Sequence, residues 1–249
     1  MRERARGARR FPVGLRRRRL RGMARAMGGP ALVAAVAASS LGIACAPPNL
    51  SRTLGAGNYE VRGSLGGPFV TNLGPPIPVP HAHVGARVGV TDWMDVDGNF
   101  NLLAAAFSMW AMDVATNFQL YRRPKGLAVA SSTRLFILGD LNDAPKARVF
   151  PELGLHLGGP AARWLNLYGG MTSAVQFRAP AGKPPVFVTP FVGTEFLFPA
   201  RKERQHGLAI HFSWTNPWED ATSVVNYAAG RGAVGLQLGY RVRFGGLDR

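Results

Sequence analysis

The feature of this chain that most limits its possible folds is an alternation of apolar and polar residues. It is clearest over residues 232–244, where one face of an extended chain carries Val234, Leu236, Leu238, Tyr240, Val242 and Phe244. The opposite face carries Ala233, Gly235, Gln237, Gly239, Arg241 and Arg243. Successive side chains of a β-strand point to opposite faces of the sheet, so this period of two predicts a strand with one apolar face.

The same period recurs along the chain, and after residue 46 no stretch of ten or more residues has the pattern of an amphipathic helix. Ten strands are predicted, at about 58–65, 81–91, 94–103, 109–121, 126–138, 149–158, 163–176, 186–198, 206–214 and 232–244. A tilted strand needs about 9–11 residues to cross a bilayer, which suits these lengths. The predicted fold is therefore all-β, an antiparallel up-and-down barrel of about ten strands.

The connections between the predicted strands alternate in length. Those after even-numbered strands are short, near 91–93, 122–125, 159–162 and 199–205. Those after odd-numbered strands are longer at 66–80, 139–148, 177–185 and 215–231, with 104–108 as a short exception. In bacterial membrane barrels the short turns face the periplasm and the long loops face outside. An even strand count then returns both ends of the barrel to the periplasm.

The polar faces of the predicted strands would line the barrel interior. Their acids are Glu60, Asp95, Asp97, Asp113, Glu152 and Glu195, and their bases include Arg62, Arg87, Arg134, Arg241 and Arg243. We expect these charges to pair, because an unpaired charge in a narrow interior is costly. A barrel of about this size is filled by side chains, so we expect no open pore. Pro190 lies in mid-strand without an N–H to donate, which predicts a bulge or a gap in the ladder.

The N-terminal segment has the form of an export signal. Residues 1–29 carry eleven arginines and one acid, Glu3, and residues 30–44 carry no charge. A basic stretch followed by a short apolar one is typical of a secretory signal, and this apolar run is too short to span a bilayer. The following residues, Leu41-Gly42-Ile43-Ala44-Cys45, resemble the bacterial lipobox, which implies that Cys45 is acylated and becomes the first mature residue. The alternatives are an ordinary secretory signal with an incidental cysteine and a small buried free cysteine.

Cleavage before Cys45 divides the chain into four parts. These are a signal peptide (1–44), a lipidated N-terminus and linker (45–57), the β-barrel (58–244) and a C-terminal tail (245–249). Loss of the signal removes eleven of 30 basic residues and one of 14 acidic residues, leaving 19 against 13 and a net charge of about +6 in place of +16. Along the sequence, the remaining charge forms no basic patch with interleaved aromatics, so we expect no nucleic-acid partner.

Over residues 57–244 the pattern resembles bacterial outer-membrane β-barrel proteins. That family commonly ends its last strand on an aromatic residue that acts as an assembly signal, and Phe244 holds this place here, with five residues after it. The resemblance implies a barrel in the outer membrane of a Gram-negative bacterium, in contact with outer-membrane lipid, with a structural or envelope-interaction role. Its outside loops would contact envelope proteins. No cofactor is expected.

One group of residues has the chemistry of an acyl-ester hydrolase. His211 and Ser213 lie two apart on one strand face and Glu219 follows, which supplies a base, a nucleophile and an orienting acid. This order resembles the outer-membrane lipid A deacylases, a family in which the site faces the lipid. Here the lipid-facing set is Leu208, Ile210, Phe212 and Trp214. His211 and Ser213 therefore face inward, and we favour a hydrogen-bonding pair in the lumen over an enzyme.

Two further alternatives concern a metal site and a soluble fold. His81 and His83 share a strand face, but two imidazoles without a nearby cysteine or carboxylate do not complete a zinc site, and we expect no metal. The chain could also be a lipid-anchored soluble β-domain that binds an apolar ligand in its interior. In that case the charged faces would lie against water.

Overall fold

The computed structural model describes residues 51–70, 77–78, 81–141, 147–177, 184–201, 203–220 and 230–245. The predicted signal peptide and Cys45 lie outside these residues, as do positions 246–249 of the predicted tail. Within the described residues, no helix is both long enough and apolar enough to cross a membrane.

The described part of the chain is almost entirely β-structure. Its strands are β1 (Tyr59–Val70), β2 (Ile77–Pro78), β3 (His81–Thr91), β4 (Met94–Asn101), β5 (Met109–Arg122), β6 (Ala128–Asp140), β7 (Arg148–Ala162), β8 (Leu165–Val175), β9 (Val186–Leu197), β10 (Arg204–Asp220) and β11 (Arg231–Phe244). The two-residue β2 pairs with the end of β1, and a 3₁₀ turn covers Ala104–Phe107. The predicted all-β fold is confirmed.

The ten long strands form a closed antiparallel barrel. Each pairs with its neighbours along the chain, and β1 closes the ring by pairing with β11 from Tyr59↔Phe244 to Pro68↔Gly235. We call the end with the short turns (92–93, 123–127, 163–164 and 198–203) the turn end, and the opposite end the loop end. Strand β1 begins and β11 ends at the turn end, as the even strand count predicts.

The barrel is apolar outside and polar inside. In β11 the side chains of Leu238 and Tyr240 are 50% and 48% exposed, whereas those of Gln237 and Arg241 are 2% and 3% exposed. The same alternation runs around the wall, because a strand in a closed sheet presents every second side chain to the interior. The buried side chains of this barrel are therefore mainly polar, whereas those of a soluble domain are mainly apolar.

Exposed aromatic side chains lie near both ends of the wall. Those of the turn end are Tyr59, Trp93, Tyr121, Trp164 and Phe198, and we call them the turn-end belt. The loop end carries Phe177, Trp214 and Trp218. Between the two ends the exposed side chains are mainly aliphatic, as at Val61, Leu135 and Leu155. Aromatic belts that flank an apolar band are typical of transmembrane barrels, in which they lie at the lipid headgroups.

One predicted turn is in the wrong place. The connection predicted at 159–162 lies within β7, which continues to Ala162, and the turn lies at 163–164. Gly158 of the same strand allows a close approach. A Cβ at this position would lie 2.7 Å from Ser51 Oγ, so a larger residue would displace the segment before β1. The strand accommodates Pro160 next to a register shift between Pro160 and Ala162.

Pro190 lies where one ladder stops, which confirms the predicted gap. The β9–β10 ladder runs from Gly207↔Leu197 to Ser213↔Phe191, and Pro190 is the next residue of β9. Beyond it the two strands are joined by a side chain. Asn216 accepts a hydrogen bond from Val188 N at 2.6 Å and donates one to Val186 O at 3.1 Å. Asn216 is buried and has a φ of 45°, a conformation that asparagine tolerates better than most residues.

Candidate functional site in the barrel interior

The interior near the turn end holds a four-membered ion cluster that spans the closing seam. Arg243 lies with Nε 2.8 Å from Glu60 Oε2 and with Nη2 2.8 Å from Glu195 Oε1. Arg241 approaches the same two carboxylates, with Nε 3.2 Å from Glu195 Oε1 and Nη1 3.7 Å from Glu60 Oε1. Glu60 is on β1, Glu195 on β9 and both arginines are on β11, so the cluster links three strands on one side of the barrel.

A second cluster lies on the β1–β7 side. Arg62 pairs with Asp97, and Arg134 pairs with Asp113, with further approaches to Asp97 at 3.7 Å and to Glu152 at 3.5 Å. Two amides of the wall add hydrogen bonds to this cluster. Asn99 Nδ2 donates to Asp113 Oδ1 at 2.7 Å, and Asn117 Nδ2 donates to Asp97 Oδ2 at 2.6 Å.

The eleven predicted lumen charges are all in ion pairs. The remaining two, Arg87 and Asp95, pair with each other. Most of these side chains are fully or nearly fully buried, and Arg243 and Glu152 are the more accessible ones. A buried charge that lacks a partner is costly, so the pairing of acids with arginines is what lets the lumen hold these ionic side chains. The pairing predicted from six acids and five arginines is confirmed.

A short segment before the barrel occupies the turn end of the lumen. We call residues 51–58 the strap. Leu54 N donates to both Asp95 oxygens at 3.1 Å, and Thr53 N donates to Gln119 Oε1 at 3.0 Å. Gln119 Nε2 in turn donates to Ser51 O at 3.0 Å. Strap backbone groups are therefore tied to two inward-facing side chains of the barrel wall.

Further contacts hold the strap against the strands around it. Arg52 Nη2 donates to Gly126 O at 2.6 Å and to Arg123 O at 2.9 Å. Burial, and then the charge of Arg122, lower the pKa of Arg52 from its ordinary value. Gly89 allows a closer approach, because a Cβ there would lie 1.8 Å from Gly55 O. The sequence analysis treats this segment only as a linker, and the strap is held largely through backbone atoms that leave no compositional signal.

A cavity of about 210 Å³ lies between the strap and the turn end of the wall. Its polar lining includes Arg52, Asn166 and Arg243, and its apolar lining includes Leu197 and Phe244. Asn166 Nδ2 donates to Glu195 Oε2 at 2.9 Å, and Arg243 belongs to the ion cluster of the seam. The polar groups of this lining therefore already have partners within the barrel.

Histidines and aromatic rings fill the lumen further toward the loop end. Ser132 Oγ lies 2.9 Å from His156 Nε2, and the His156 ring lies 5.4 Å from that of Phe191. The His211 ring lies 5.1 Å from Phe191 and 6.0 Å from Tyr168. These rings form a continuous contact between β7, β8, β9 and β10 inside the barrel.

The proposed catalytic residues do not form a hydrogen-bonded set. His211 and Ser213 face the interior, as predicted, and Ser213 is buried. Among the described residues no hydrogen bond joins His211, Ser213 and Glu219, and the buried His211 Nδ1 has no hydrogen-bond partner. A base must lie within hydrogen-bond reach of its nucleophile and be oriented by a third group.

His81 and His83 lie on the inner face at the loop end of β3. Their rings stack at 5.9 Å, and Asn101 Nδ2 lies 3.1 Å from His81 Nδ1. In the part of the chain that the structure describes, no three or more His, Cys, Asp or Glu residues are grouped so that they could hold a metal ion.

Comparison with known proteins finds similar solved structures but no matching protein family. No family model matches the chain, and no curated protein matches it. Among solved structures it is similar to a Pseudomonas aeruginosa FadL homologue, with 9% identity over 76% of this chain and a TM-score of 0.33. The match covers 64% of that homologue, so this chain spans a little under two thirds of its length.

Two further proteins match over nearly their whole length. OmpT, an outer membrane protein of Vibrio cholerae, shows 9% identity over 75% of this chain and 96% of its own, with a TM-score of 0.31. The outer membrane protein OprG from Pseudomonas aeruginosa shows 9% identity over 80% of this chain and 100% of its own, with a TM-score of 0.30. At these scores the likeness carries no argument about function or location.

Proposed function

We propose that this chain is a membrane-embedded β-barrel of the bacterial outer membrane with a structural or envelope-interaction role and no open pore. The observation that carries the proposal is the exposed outer wall, which is apolar between aromatic side chains at both ends. Large exposed apolar surfaces are rare on soluble monomers because they promote association. A bilayer covers such a wall, and the antiparallel closure leaves no unpaired strand edge along the seam.

The paired interior supports the absence of a pore. Both ion clusters hold buried, paired side chains in the lumen, and the strap occupies its turn end. Farther toward the loop end the rings of Tyr168, Phe191 and His211 contact one another. The function would then reside on the surfaces of the barrel, with outer-membrane lipid around the wall and envelope proteins at the outside loops.

A lipid on Cys45 is compatible with this placement. The strap puts residue 51 at the turn end, and the six peptide units from Cys45 to Ser51 reach at most about 22 Å. An acyl chain on Cys45 would therefore enter the membrane leaflet at the turn end. Incorporation of labelled palmitate into the intact chain tests this, with the Cys45→Ser variant expected to lose the label. Equal labelling of the two chains would overturn the lipoprotein assignment.

The test of membrane embedding removes the lipid altogether. Residues 46–249 are exported behind the signal of an ordinary secreted protein, and membrane fractions are analysed on gels with and without heating. We expect the chain to stay in the outer-membrane fraction, to resist alkaline extraction and to migrate faster before heating than after it. Release into the soluble periplasm with a single gel position would instead support the lipid-anchored soluble domain.

A further inference from the structure

The turn end of the barrel carries an excess of exposed positive charge. Five exposed cations, which we call the basic rim, lie in three of the four turns or next to them: Arg123, Lys125, Arg163, Arg201 and Arg204. The described acids in these four turns are Asp92 and Glu203. Among the described residues, no carboxylate forms an ion pair with any member of the basic rim. Within the described part of the chain, these five charges are therefore not neutralised by an acid.

Members of the basic rim lie beside aromatic side chains of the same end. The Arg123 guanidinium lies 6.0 Å from the Tyr121 ring centroid, and its Nε donates to Tyr121 Oη at 2.5 Å. The Arg204 guanidinium lies 5.5 Å from the Phe244 ring centroid, and Arg163 precedes Trp164 of the turn-end belt. Aromatic belts mark the level of the headgroups in a membrane barrel, so these cations lie at the depth of the lipid phosphates.

From this placement we propose that the basic rim binds the phosphate-bearing headgroups of anionic phospholipids in the leaflet at the turn end. This rests on the membrane placement proposed above and adds a lipid class to it. The cations are distributed over three turns around the mouth, an arrangement that matches a surrounding lipid surface better than one compact acidic protein. Each Lys or Arg near an anionic membrane contributes about 1 kcal/mol, or roughly a fivefold preference.

The five tryptophans provide a matched pair of reporters for this proposal. Trp93 and Trp164 belong to the turn-end belt, while Trp110, Trp214 and Trp218 lie toward the loop end. A W110F/W214F/W218F chain therefore reports on lipid at the turn end, and a W93F/W164F chain reports on the loop end. Both are folded into phosphatidylcholine vesicles that contain brominated phosphatidylglycerol or, in parallel, brominated phosphatidylcholine, because bromine quenches nearby tryptophan fluorescence.

From quenching of the turn-end reporter, we expect the ratio of its preference for phosphatidylglycerol over phosphatidylcholine to be about fivefold or more. A ratio of this size corresponds to the contribution of one or more cations. In the R123Q/K125Q/R163Q/R201Q/R204Q background the ratio should fall to about one. The same background should leave the loop-end reporter unchanged. In 1 M salt, where charges are screened within about 3 Å, the turn-end preference should also disappear.

Two outcomes would overturn the proposal on its own. Equal quenching of the turn-end reporter by the two brominated lipids would show that the basic rim does not select anionic headgroups. A preference that persists in the neutralised background would assign the selection to other residues. If neither brominated lipid quenches either reporter, the barrel is not in the bilayer, and the membrane placement fails together with the lipid site that rests on it.

Discussion

Arg243 on the last strand lies directly opposite Glu60 on the first, and its Nε is 2.8 Å from Glu60 Oε2. The two residues are 183 positions apart in the chain and meet only because the barrel closes. The same guanidinium reaches Glu195 on β9, so one side chain connects the seam to the wall beyond β10. The account of a closed, filled barrel depends on this contact.

Replacing Arg243 with Met should strongly destabilise the barrel. The change leaves Glu60 and Glu195 to share Arg241, and removing one partner from a buried ion pair costs about 3–5 kcal/mol. The free energy of unfolding is measured by urea titration of the chain folded in vesicles. Arg148→Met is the matched control, because Arg148 is exposed at the start of β7 and should change stability by less than about 0.5 kcal/mol. Equal stability of the two variants would contradict the role of the seam cluster.

The sequence predicted the wall and its lining better than the ends of the barrel. Period-two alternation depends only on the pleat of a strand, so the inward positions of Glu60, Arg134 and Arg241 follow from residue order alone. Turn positions are less certain because glycine serves two purposes. Gly159 falls in the turn predicted at 159–162 but lies within β7, where a Cβ would be 2.6 Å from Gly126 O.

The strap and the gap at β9 depend on contacts that the alternation of apolar and polar residues does not predict. The strap is fixed by backbone N–H and C=O groups meeting Asp95 and Gln119, and every residue has such backbone groups. Pro190 does predict a missing ladder bond, but nothing in the sequence indicates that the Asn216 side chain of β10 bonds the β9 backbone beyond it. Contacts of this kind follow from tertiary arrangement and not from local pattern.

The Gln119→Ala substitution should loosen the strap. It removes the acceptor for Thr53 N and the donor to Ser51 O, and each buried backbone group left unpaired costs about 1–3 kcal/mol. We expect tryptic cleavage after Arg52 to become at least tenfold faster. The rate is measured by mass spectrometry of the released peptide. Gln205→Ala is the matched control, since Gln205 lies in the wall and makes no described hydrogen bond to the strap. Unchanged cleavage in Gln119→Ala would show that the strap is held in another way.

The Asn216→Ala substitution should open the wall locally between β9 and β10. It removes the hydrogen bonds to Val188 N and Val186 O and places an alanine at a φ of 45°. The Val188 amide should then exchange its hydrogen at least tenfold faster, measured by hydrogen exchange with mass spectrometry. Asn216→Gly removes the same bonds but tolerates this φ, so it should raise exchange to a similar degree with a smaller loss of stability. Protection of Val188 in both variants would show that the side chain is not the bridge.

The lipid A deacylase alternative makes a separate prediction. Because His211 and Ser213 face the interior, we expect the purified barrel to release no acyl chain from lipid A in detergent, and Ser213→Ala to behave in the same way. Acyl release is measured by mass spectrometry of the lipid product. Activity in the unaltered chain that disappears in Ser213→Ala would establish the enzyme and replace the structural role proposed here.

The most direct test of the central claim, a membrane-embedded barrel with a closed lumen, is the electrical conductance of the folded chain in planar lipid bilayers. Vesicles are fused into the bilayer only after the protein in them shows the heat-modifiable gel migration of a folded barrel, so that insertion is established first. Because the two ion clusters and the strap occupy the lumen, bilayers that contain the folded chain should have the same conductance as protein-free bilayers. Regular stepwise openings in the folded, inserted chain would contradict the closed lumen.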